Sequence, residues 1–326
     1  MNKITKVGIT ALAGSLVTLS AAVAGALDVS GGARLSYITS DGNSDTANEG
    51  SRFGMQHTMY FNGSGEMDNG WNVSLLHSLQ SDATAGTTSA LTVDMGSLGT
   101  LRYNQNGSDI VGISGVNDII PTAFEQYDNG LAPTLSGEAN IGFTGFDYSI
   151  EAMDGVKVGV GYSPSNDSTR VDDGTTSGDG GTESGKSIDV DINLIDGLRV
   201  VLATGEEGDA LNNTIDQDMY GAVYTYGPVS VGYQNTERTP DSSSAVANTD
   251  RTQYSVAFNV NENLSISYGE IEVEVEGQAF DHDMSGIQLA YTMGSMSLRV
   301  QQNTGDNMTA SGEENKRTEL ELNFAF

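Results

Sequence analysis

The chain has 326 residues, no cysteine and a formal net charge of −30 at pH 7. The charge argues against nucleic acid as a partner, and the lack of cysteine excludes disulfides as a source of stability. An acidic surface attracts cations, but adaptation of a solvated surface to a saline habitat would give the same charge.

Residues 1–26 are predicted to be a cleaved export signal. Lys3 and Lys6 precede a short apolar run, and Ala24-Gly25-Ala26 is a small-residue cleavage site. The mature chain, 27–326, is then a single domain. It contains no stretch of roughly 18 apolar residues, so it is not a helical membrane protein, but a barrel needs lipid-facing residues only at every second position.

The mature chain is predicted to form sixteen β-strands. Ile188, Val190 and Ile192, for example, alternate with Asp189 and Asp191, so they face the opposite side of a strand. The predicted strands are 27–39, 51–63, 70–80, 89–96, 99–106, 138–152, 156–164, 186–195, 198–205, 216–227, 228–237, 250–261, 263–275, 282–293, 295–304 and 315–326.

Short and long connections alternate strictly between these strands. Asp154-Gly155 and Asp196-Gly197 are strong hairpin signals, whereas the connections between the short turns are long and rich in Gly, Ser, Asn and Asp. A soluble sandwich or solenoid has no reason for this asymmetry, but an outer-membrane barrel has short periplasmic turns and long outer loops. The pattern therefore predicts an all-β fold: a 16-stranded antiparallel transmembrane β-barrel with periplasmic termini.

The last predicted strand has one apolar and one polar face. Leu320, Leu322, Phe324 and Phe326 share a face, as expected for a strand that pairs with the first strand and closes a barrel. An amphipathic edge strand of a soluble sandwich would look the same.

Loop 107–137 is predicted to fold into the lumen, because it carries apolar residues that a solvated loop would not. The interior of a sixteen-stranded barrel is too wide for side chains to fill, so its wall is available for packing; the loop then either constricts or plugs the passage. A short helix around 115–127 is compatible with the pattern, although Pro121 limits it. The apolar residues are Ile110, Val111, Ile113, Val116, Ile119, Ile120, Phe124 and Leu131, and the acidic ones are Asp109, Asp118, Glu125 and Asp128.

Seven arginines alternate with outward apolar residues and are predicted to point inward. Acids on the loop facing wall arginines would create a transverse field that orients dipolar solutes. Arg102, just before the loop, is the best single candidate, although such arginines could equally be ordinary lumen residues paired with local acids. The candidates for the pore wall are Arg34, Arg52, Arg102, Arg199 and Arg299, with Arg251 and Arg317 as further members of the set.

His57 and His77 are predicted to point outward, in register with apolar neighbours. Polar rings on a lipid face are costly, so strands one to five are expected to face sister subunits. A histidine at the height of the membrane interface is the alternative.

The whole mature chain resembles the Gram-negative general diffusion porins. The resemblance rests on the export signal, a first strand from Leu27 to Tyr37, sixteen strands, a long third loop and the terminal Phe326. It implies a homotrimer of barrels in the outer membrane of a Gram-negative bacterium, each with its own aqueous pore narrowed by the third loop. Implied partners are outer-membrane lipid, lipopolysaccharide, and the barrel-assembly machinery, which would recognise the terminal aromatic residue.

Little in the sequence suggests catalysis or a cofactor. No nucleophile elbow or phosphate loop is present, and three histidines without cysteine leave little material for a metal site. Divalent cations could bind weakly at outer-loop acids such as Asp172-Asp173 or Glu206-Glu207. Outer-membrane hydrolases build their sites from Asp, His and Ser at the rim, and His282, between Asp281 and Asp283, is the one such cluster worth naming.

The predicted function is a non-enzymatic, water-filled channel for passive diffusion of ions and small hydrophilic solutes. The net negative charge favours a mild preference for cations, which arginines at the constriction could offset. A channel specific for phosphate, a sugar or a dicarboxylate is the first alternative, and a barrel hydrolase is the second.

Overall fold

The computed structural model describes residues 25–42, 50–81, 89–105, 112–131, 137–141, 144–164, 184–208, 214–241, 247–308 and 312–326. Within them, sixteen antiparallel strands form one closed barrel. No helix in these ranges is long and apolar enough to cross a membrane. The strands are β1 (Ala26–Gly42), β2 (Gly50–Glu66), β3 (Asn72–Gln80), β4 (Ser89–Asp94), β5 (Thr100–Gln105), β6 (Gly145–Met153), β7 (Val156–Ser163), β8 (Gly185–Ile195), β9 (Leu198–Gly208), β10 (Thr214–Tyr226), β11 (Val229–Pro240), β12 (Thr249–Asn261), β13 (Leu264–Val275), β14 (His282–Met293), β15 (Met296–Asp306) and β16 (Glu314–Ala325).

The barrel closes where β1 pairs with β16. Leu35 lies opposite Leu322 in this register. The final residue, Phe326, extends the ladder, because its backbone N–H and C=O both bond to Gly31, at 2.9 and 2.8 Å. The predicted pairing of the first and last strands is therefore confirmed, and the sheet has no free edge.

The connections alternate in length as predicted. Asp154-Gly155 and Asp196-Gly197 each form a two-residue turn, in which the glycine has φ of 76° and 75°. This left-handed conformation is the one that favours glycine and matches the twist of a hairpin. The short turns lie at the end of the barrel that holds both termini, and the longer connections lie at the opposite end.

The two faces of the sheet differ in chemistry. In β12, Tyr254, Val256 and Phe258 are exposed, whereas Arg251 and Gln253 are buried. Exposed apolar side chains recur on the outer face around the barrel, and buried polar ones recur on the inner face, as expected for a barrel surrounded by lipid.

The predicted start of the sixth strand is wrong. The sequence predicted strand over 138–152, but β6 begins at Gly145. The backbone at Asn140 is satisfied by a side chain instead of a neighbouring strand, because Gln217 of β10 accepts from its N–H and donates to its C=O, each at 2.7 Å. This stretch therefore packs against the wall and does not add to the sheet.

The predicted export signal lies almost entirely outside the described residues, which begin at residue 25. β1 begins at Ala26, one residue before the predicted start of the mature chain.

Candidate functional site

The described part of the predicted constriction loop, residues 112–131, runs along the inner face of the sheet and is called the loop segment below. At its start, the Ile113 N–H donates to Ser187 Oγ of β8 at 3.1 Å. Near its end, Asn303 Nδ2 of β15 donates to the Asn129 carbonyl at 3.1 Å. The loop segment thus crosses the inner wall from β8 to β15.

The helix that the sequence allowed around 115–127 does not form. The loop segment contains a 3₁₀ turn at Ile113–Gly115 and otherwise consists of turns and bends. Its backbone groups bond to wall side chains: Ser255 Oγ of β12, for example, donates to the Pro121 carbonyl at 2.7 Å. Contacts with the wall replace the internal hydrogen bonds of a helix.

Gln234 of β11 holds the loop segment through both of its amide atoms. Its Oε1 accepts from the Ile119 N–H at 3.0 Å, and its Nε2 donates to the Asn117 carbonyl. The side chain is fully buried. A side-chain amide here makes the pair of bonds that a neighbouring strand would make.

Gln288 of β14 repeats this arrangement further along the loop segment. Its Oε1 accepts from the N–H groups of Ala123 and Phe124 at 3.1 and 2.8 Å, and its Nε2 donates to the Glu125 carbonyl. Ser267 Oγ of β13 accepts a second bond from the Ala123 N–H at 2.9 Å. These polar contacts satisfy backbone groups that would otherwise be buried without partners.

Apolar side chains of the loop segment are buried against two areas of the wall. Burying one such side chain contributes about 1.5–3 kcal/mol. The apolar clusters therefore contribute more to the free energy of attachment than the hydrogen bonds do, each of which contributes about 1 kcal/mol. One cluster comprises Ile113, Ile119, Ala139, Ile141, Val201, Ala203 and Met219, and the other comprises Ile120, Tyr127, Leu131, Ile271, Val273, Val275, Met284 and Met308.

Arg251 of β12 joins the two described parts of the loop. Its Nη2 lies 2.8 Å from Asp128 Oδ2 and 3.7 Å from Glu138 Oε1. The Arg251 side chain is fully buried, whereas a third of the Glu138 side chain is exposed. Burial raises the pKa of the Glu138 carboxyl, and the nearby guanidinium opposes this effect.

The other two described loop acids also lie close to arginines. Glu125 Oε1 is 3.7 Å from Arg34 Nη1 of β1. Burial raises the pKa of Glu125, with a further rise from Glu319 and an opposing effect from nearby arginines. Burial likewise raises the pKa of Asp118, against the influence of a Gln126 hydrogen bond and of Arg251. The fourth predicted loop acid, Asp109, lies outside the described residues.

Four of the seven arginines predicted to point inward lie beside the loop segment: Arg251 as described above, Arg317 against Gly130, and Arg34 and Arg299. Besides its contact with Glu125, Arg34 forms an ion pair with Glu321 of β16 at 2.9 Å. The Arg299 guanidinium of β15 stands 5.7 Å from the ring centroid of Phe124, within the range of a cation–π contact.

Of the other three predicted arginines, two pair with acids of the wall. Arg102 Nε bonds to Asp147 of β6 at 2.8 Å, and Arg199 Nη2 pairs with Asp191 of β8 at 2.9 Å. Arg52 is exposed on β2. The place of all three at the constriction stays a prediction, because Arg34 also pairs with a wall acid and the loop residues next to Arg102 in sequence, 106–111, are outside the described ranges.

Sequence reasoning did not anticipate the role of the wall glutamines. Gln217, Gln234 and Gln288 are buried inward residues, and they hold the loop at Asn140, Asn117–Ile119 and Ala123–Glu125 respectively. A signal was available: in β11 and β14 the inward positions read Gly-x-Gln, at 232–234 and 286–288. A small residue beside a long amide is suited to receiving a second layer of chain.

His57 and His77 both lie on the outer face of the sheet. His57 is exposed and pairs in register with Ala33 of β1. His77 is half-buried, and its Nδ1 forms a hydrogen bond of 2.8 Å with Ser89 Oγ of β4. Their role at a subunit interface stays a prediction.

In the predicted rim cluster, the histidine is not exposed to solvent. His282 is fully buried, and its Nδ1–H donates to the Asn307 carbonyl at 2.6 Å. Among the outer-loop acids, Glu206 pairs with Lys186 at 3.0 Å. Asp172-Asp173 lies outside the described residues, and within those residues no group of three or more His, Asp or Glu side chains is arranged to hold a metal ion.

Several solved structures have a fold similar to that of this barrel. Solved structures that resemble it include an anion-selective porin from Comamonas acidovorans, which has 14% identity and a TM-score of 0.66 and covers 93% of this chain and 100% of that one. A porin structure refined at 1.8 Å has 14% identity, a TM-score of 0.66 and coverage of 92% and 100%. A mutant of the Rh. blastica porin has 15% identity, a TM-score of 0.64 and the same coverage.

At these identities the structural likeness shows the fold alone. Among curated proteins, no sequence match was found. The sequence itself matches the Gram-negative porin family over residues 8–325. This match spans nearly the entire chain, and the chain therefore belongs to the Gram-negative porin family.

Proposed function

We propose that the protein is a non-enzymatic, water-filled channel for passive diffusion of ions and small hydrophilic solutes across the outer membrane. The observation that carries the proposal is a closed sixteen-stranded barrel with a polar inner wall, in a chain that belongs to the porin family. A barrel of this size is too wide for side chains to fill, so water occupies the remaining lumen.

The loop segment narrows this passage. Its attachment from β8 to β15 keeps it to one side of the lumen, which favours a constriction over a plug. Glu125 beside Arg34, and Asp128 beside Arg251, place acids of the loop against cations of the wall. Charges of opposite sign across a narrow section orient dipolar solutes as they pass.

The channel prefers cations mildly. Supporting this, residues 112–131 carry Asp118, Glu125 and Asp128 but no Lys or Arg. The structurally similar Comamonas acidovorans porin is anion-selective and so points the other way, but at 14% identity its selectivity does not transfer. The sign of the ion selectivity is tested directly by the reversal-potential measurement described below.

The family and the outer surface of the barrel support a proposal for the surroundings of the channel. The short turns and both termini face the periplasm, and the longer connections face outward. The barrel assembles as a homotrimer in which His57 and His77 lie towards sister subunits, and its remaining outer face contacts lipid and lipopolysaccharide. Barrel-assembly machinery recognises the terminal Phe326. No cofactor is required.

Purified protein reconstituted in planar bilayers tests the proposal. We expect stepwise conductance that rises linearly with salt and a reversal potential in a KCl gradient displaced towards the potassium potential. Candidate solutes (phosphate, maltose and succinate) should not block the current saturably; saturable block by one of them would establish a substrate-specific channel instead. Absence of conductance from correctly folded barrels would refute the function, and displacement towards the chloride potential would refute the cation preference.

A further inference from the structure

The inner wall carries a lateral row of small residues directly beneath the loop segment. Gly232 pairs with Ser255, Ser255 pairs with Gly269, and Gly269 pairs with Gly286, so these four residues lie side by side across β11 to β14. Tyr127 lies over Gly269 and Gly286, where a Cβ at Gly286 would meet its ring carbon at 2.9 Å.

The row is filled by the loop segment along its length. A Cβ on Gly232 would collide with the Pro121 ring, and a Cβ on Gly269 would collide with the Tyr127 ring. Contacts this short do not occur between real carbon atoms, so alanine at these positions would displace the loop segment.

The row of small residues forms a shallow groove, and the glutamine amides that hold the loop segment lie beside it. Gln234 lies two residues from Gly232, on the same face of β11, and Gln288 lies two residues from Gly286, on the same face of β14. Each glutamine binds backbone N–H and C=O groups of the loop segment and does not depend on the identity of its side chains. The same device is therefore used twice along the path.

We infer that the wall, not the internal conformation of the loop, determines where the constriction stands. Gln234 and Gln288 are positioning residues that fix the position of the loop segment along the barrel axis. The row of small residues fixes how closely the loop segment approaches the wall. This inference rests on the proposed channel function and adds the residues that determine its aperture. Neither glutamine needs to contact a permeating ion for its substitution to change the current.

The first test removes the amide contacts while keeping the side-chain length. In the double variant Gln234→Met and Gln288→Met, the loop segment loses its bidentate anchors, and we expect the open-channel current to become several-fold noisier than that of the wild type. Gln80→Met is the matched control, because Gln80 ends β3 and makes no hydrogen bond to the loop segment within the described residues.

A second readout is independent of conduction. Tyr127 is fully buried, so chymotrypsin should not cleave after it in the folded, detergent-solubilised wild-type barrel. Each lost hydrogen bond changes an equilibrium by roughly a factor of five, so cleavage should be at least about tenfold faster in the double variant, with the site located by mass spectrometry. Wild-type rates are expected for Gln80→Met.

The third variant acts on the groove and covers the case in which the double variant does not fold. Gly269→Ala should push Tyr127 away from the wall into the passage and lower the single-channel conductance without added noise. Gly63→Ala of β2, where a Cβ would meet nothing within 4 Å, is its control.

The outcomes separate this inference from the channel proposal. If the wild type conducts but the glutamine variant is as quiet and as protease-resistant as its control, the amides do not position the loop. If Gly269→Ala leaves the conductance unchanged, the groove does not set its depth. A wild type without conductance would refute the channel function, while the protease comparison would still test the attachment.

Discussion

Arg251 offers the sharpest test of how the loop is attached. It is fully buried and is shared by Asp128 at 2.8 Å and Glu138 at 3.7 Å, so Arg251→Gln leaves two carboxylates beside a wall that no longer neutralises them. Removing one partner of a buried ion pair costs about 3–5 kcal/mol. Because Glu138 is partly exposed and screened by solvent, we expect the lower end, about 3 kcal/mol. That free energy corresponds to about a hundredfold shift of the docking equilibrium.

Hydrogen exchange measured by mass spectrometry on the solubilised barrel reports this shift directly. Amides around Asp128 should exchange about a hundredfold faster in Arg251→Gln, because local opening becomes more frequent. Adding Asp128→Asn should recover part of the protection, since it removes one of the stranded charges. Arg199→Gln is the control, because its partner Asp191 belongs to the wall. Unchanged protection in Arg251→Gln, or no recovery in the double variant, would refute the reasoning.

Four further predictions concern charge and surroundings. Burial raises the pKa values of Asp118 and Glu125 above the usual 3.8 and 4.5, so these groups protonate first as the pH falls from 7, and the cation preference should decline in reversal-potential measurements. The same shifts make loop docking most stable below the usual carboxyl pKa values and weaker as the pH rises through the raised ones, which hydrogen exchange would detect. Arg102→Glu should alter conductance or selectivity, whereas equal values in planar bilayers would remove Arg102 from the pore-lining set. In the assembled protein, quenchers dissolved in lipid should not reach fluorophores placed at His57 or His77; efficient quenching would contradict the subunit-interface assignment.

The strands were predictable because a barrel wall repeats one physical constraint. Each strand faces lipid on one side and the interior on the other, so apolar and polar residues alternate. In β12, for example, Gln253 faces inward, whereas Tyr254 and Val256 face outward. Two-residue turns such as Asp196-Gly197 gave the hairpins, because the positive φ required there favours glycine.

The start of β6 was not predictable by the same reasoning. Ala139 and Ile141 are apolar and alternate with Asn140, which is the pattern of a strand. They pack instead with Ile113 on the inner wall. Periodicity indicates that one face of a segment is buried, but it does not say whether a neighbouring strand or the side chains of a wall satisfy its backbone.

The candidate site was only partly predictable because its geometry depends on long-range register. The apolar residues of the loop showed that it must pack against something, and Ile119 and Leu131 are indeed buried. The arginines that lie near the loop depend on the path of the loop across the wall. Contacts such as that of Gln288 with Phe124 determine this path. Arg102 precedes the loop in sequence, but the sequence does not give the path of a loop that crosses from β8 to β15, so its place at the constriction stays a prediction.

The net charge of the chain should accordingly have little influence on selectivity. At physiological salt, interactions between exposed charges are largely screened beyond about 8 Å, so acids on the outer loops act weakly on an ion within the narrow section. There, three loop carboxylates each have a wall arginine nearby: Asp128 and Glu138 lie beside Arg251, and Glu125 lies beside Arg34. A preference set by so few groups must be mild. Single substitutions in the loop segment should therefore shift the reversal potential more than removal of several acids from the outer loops.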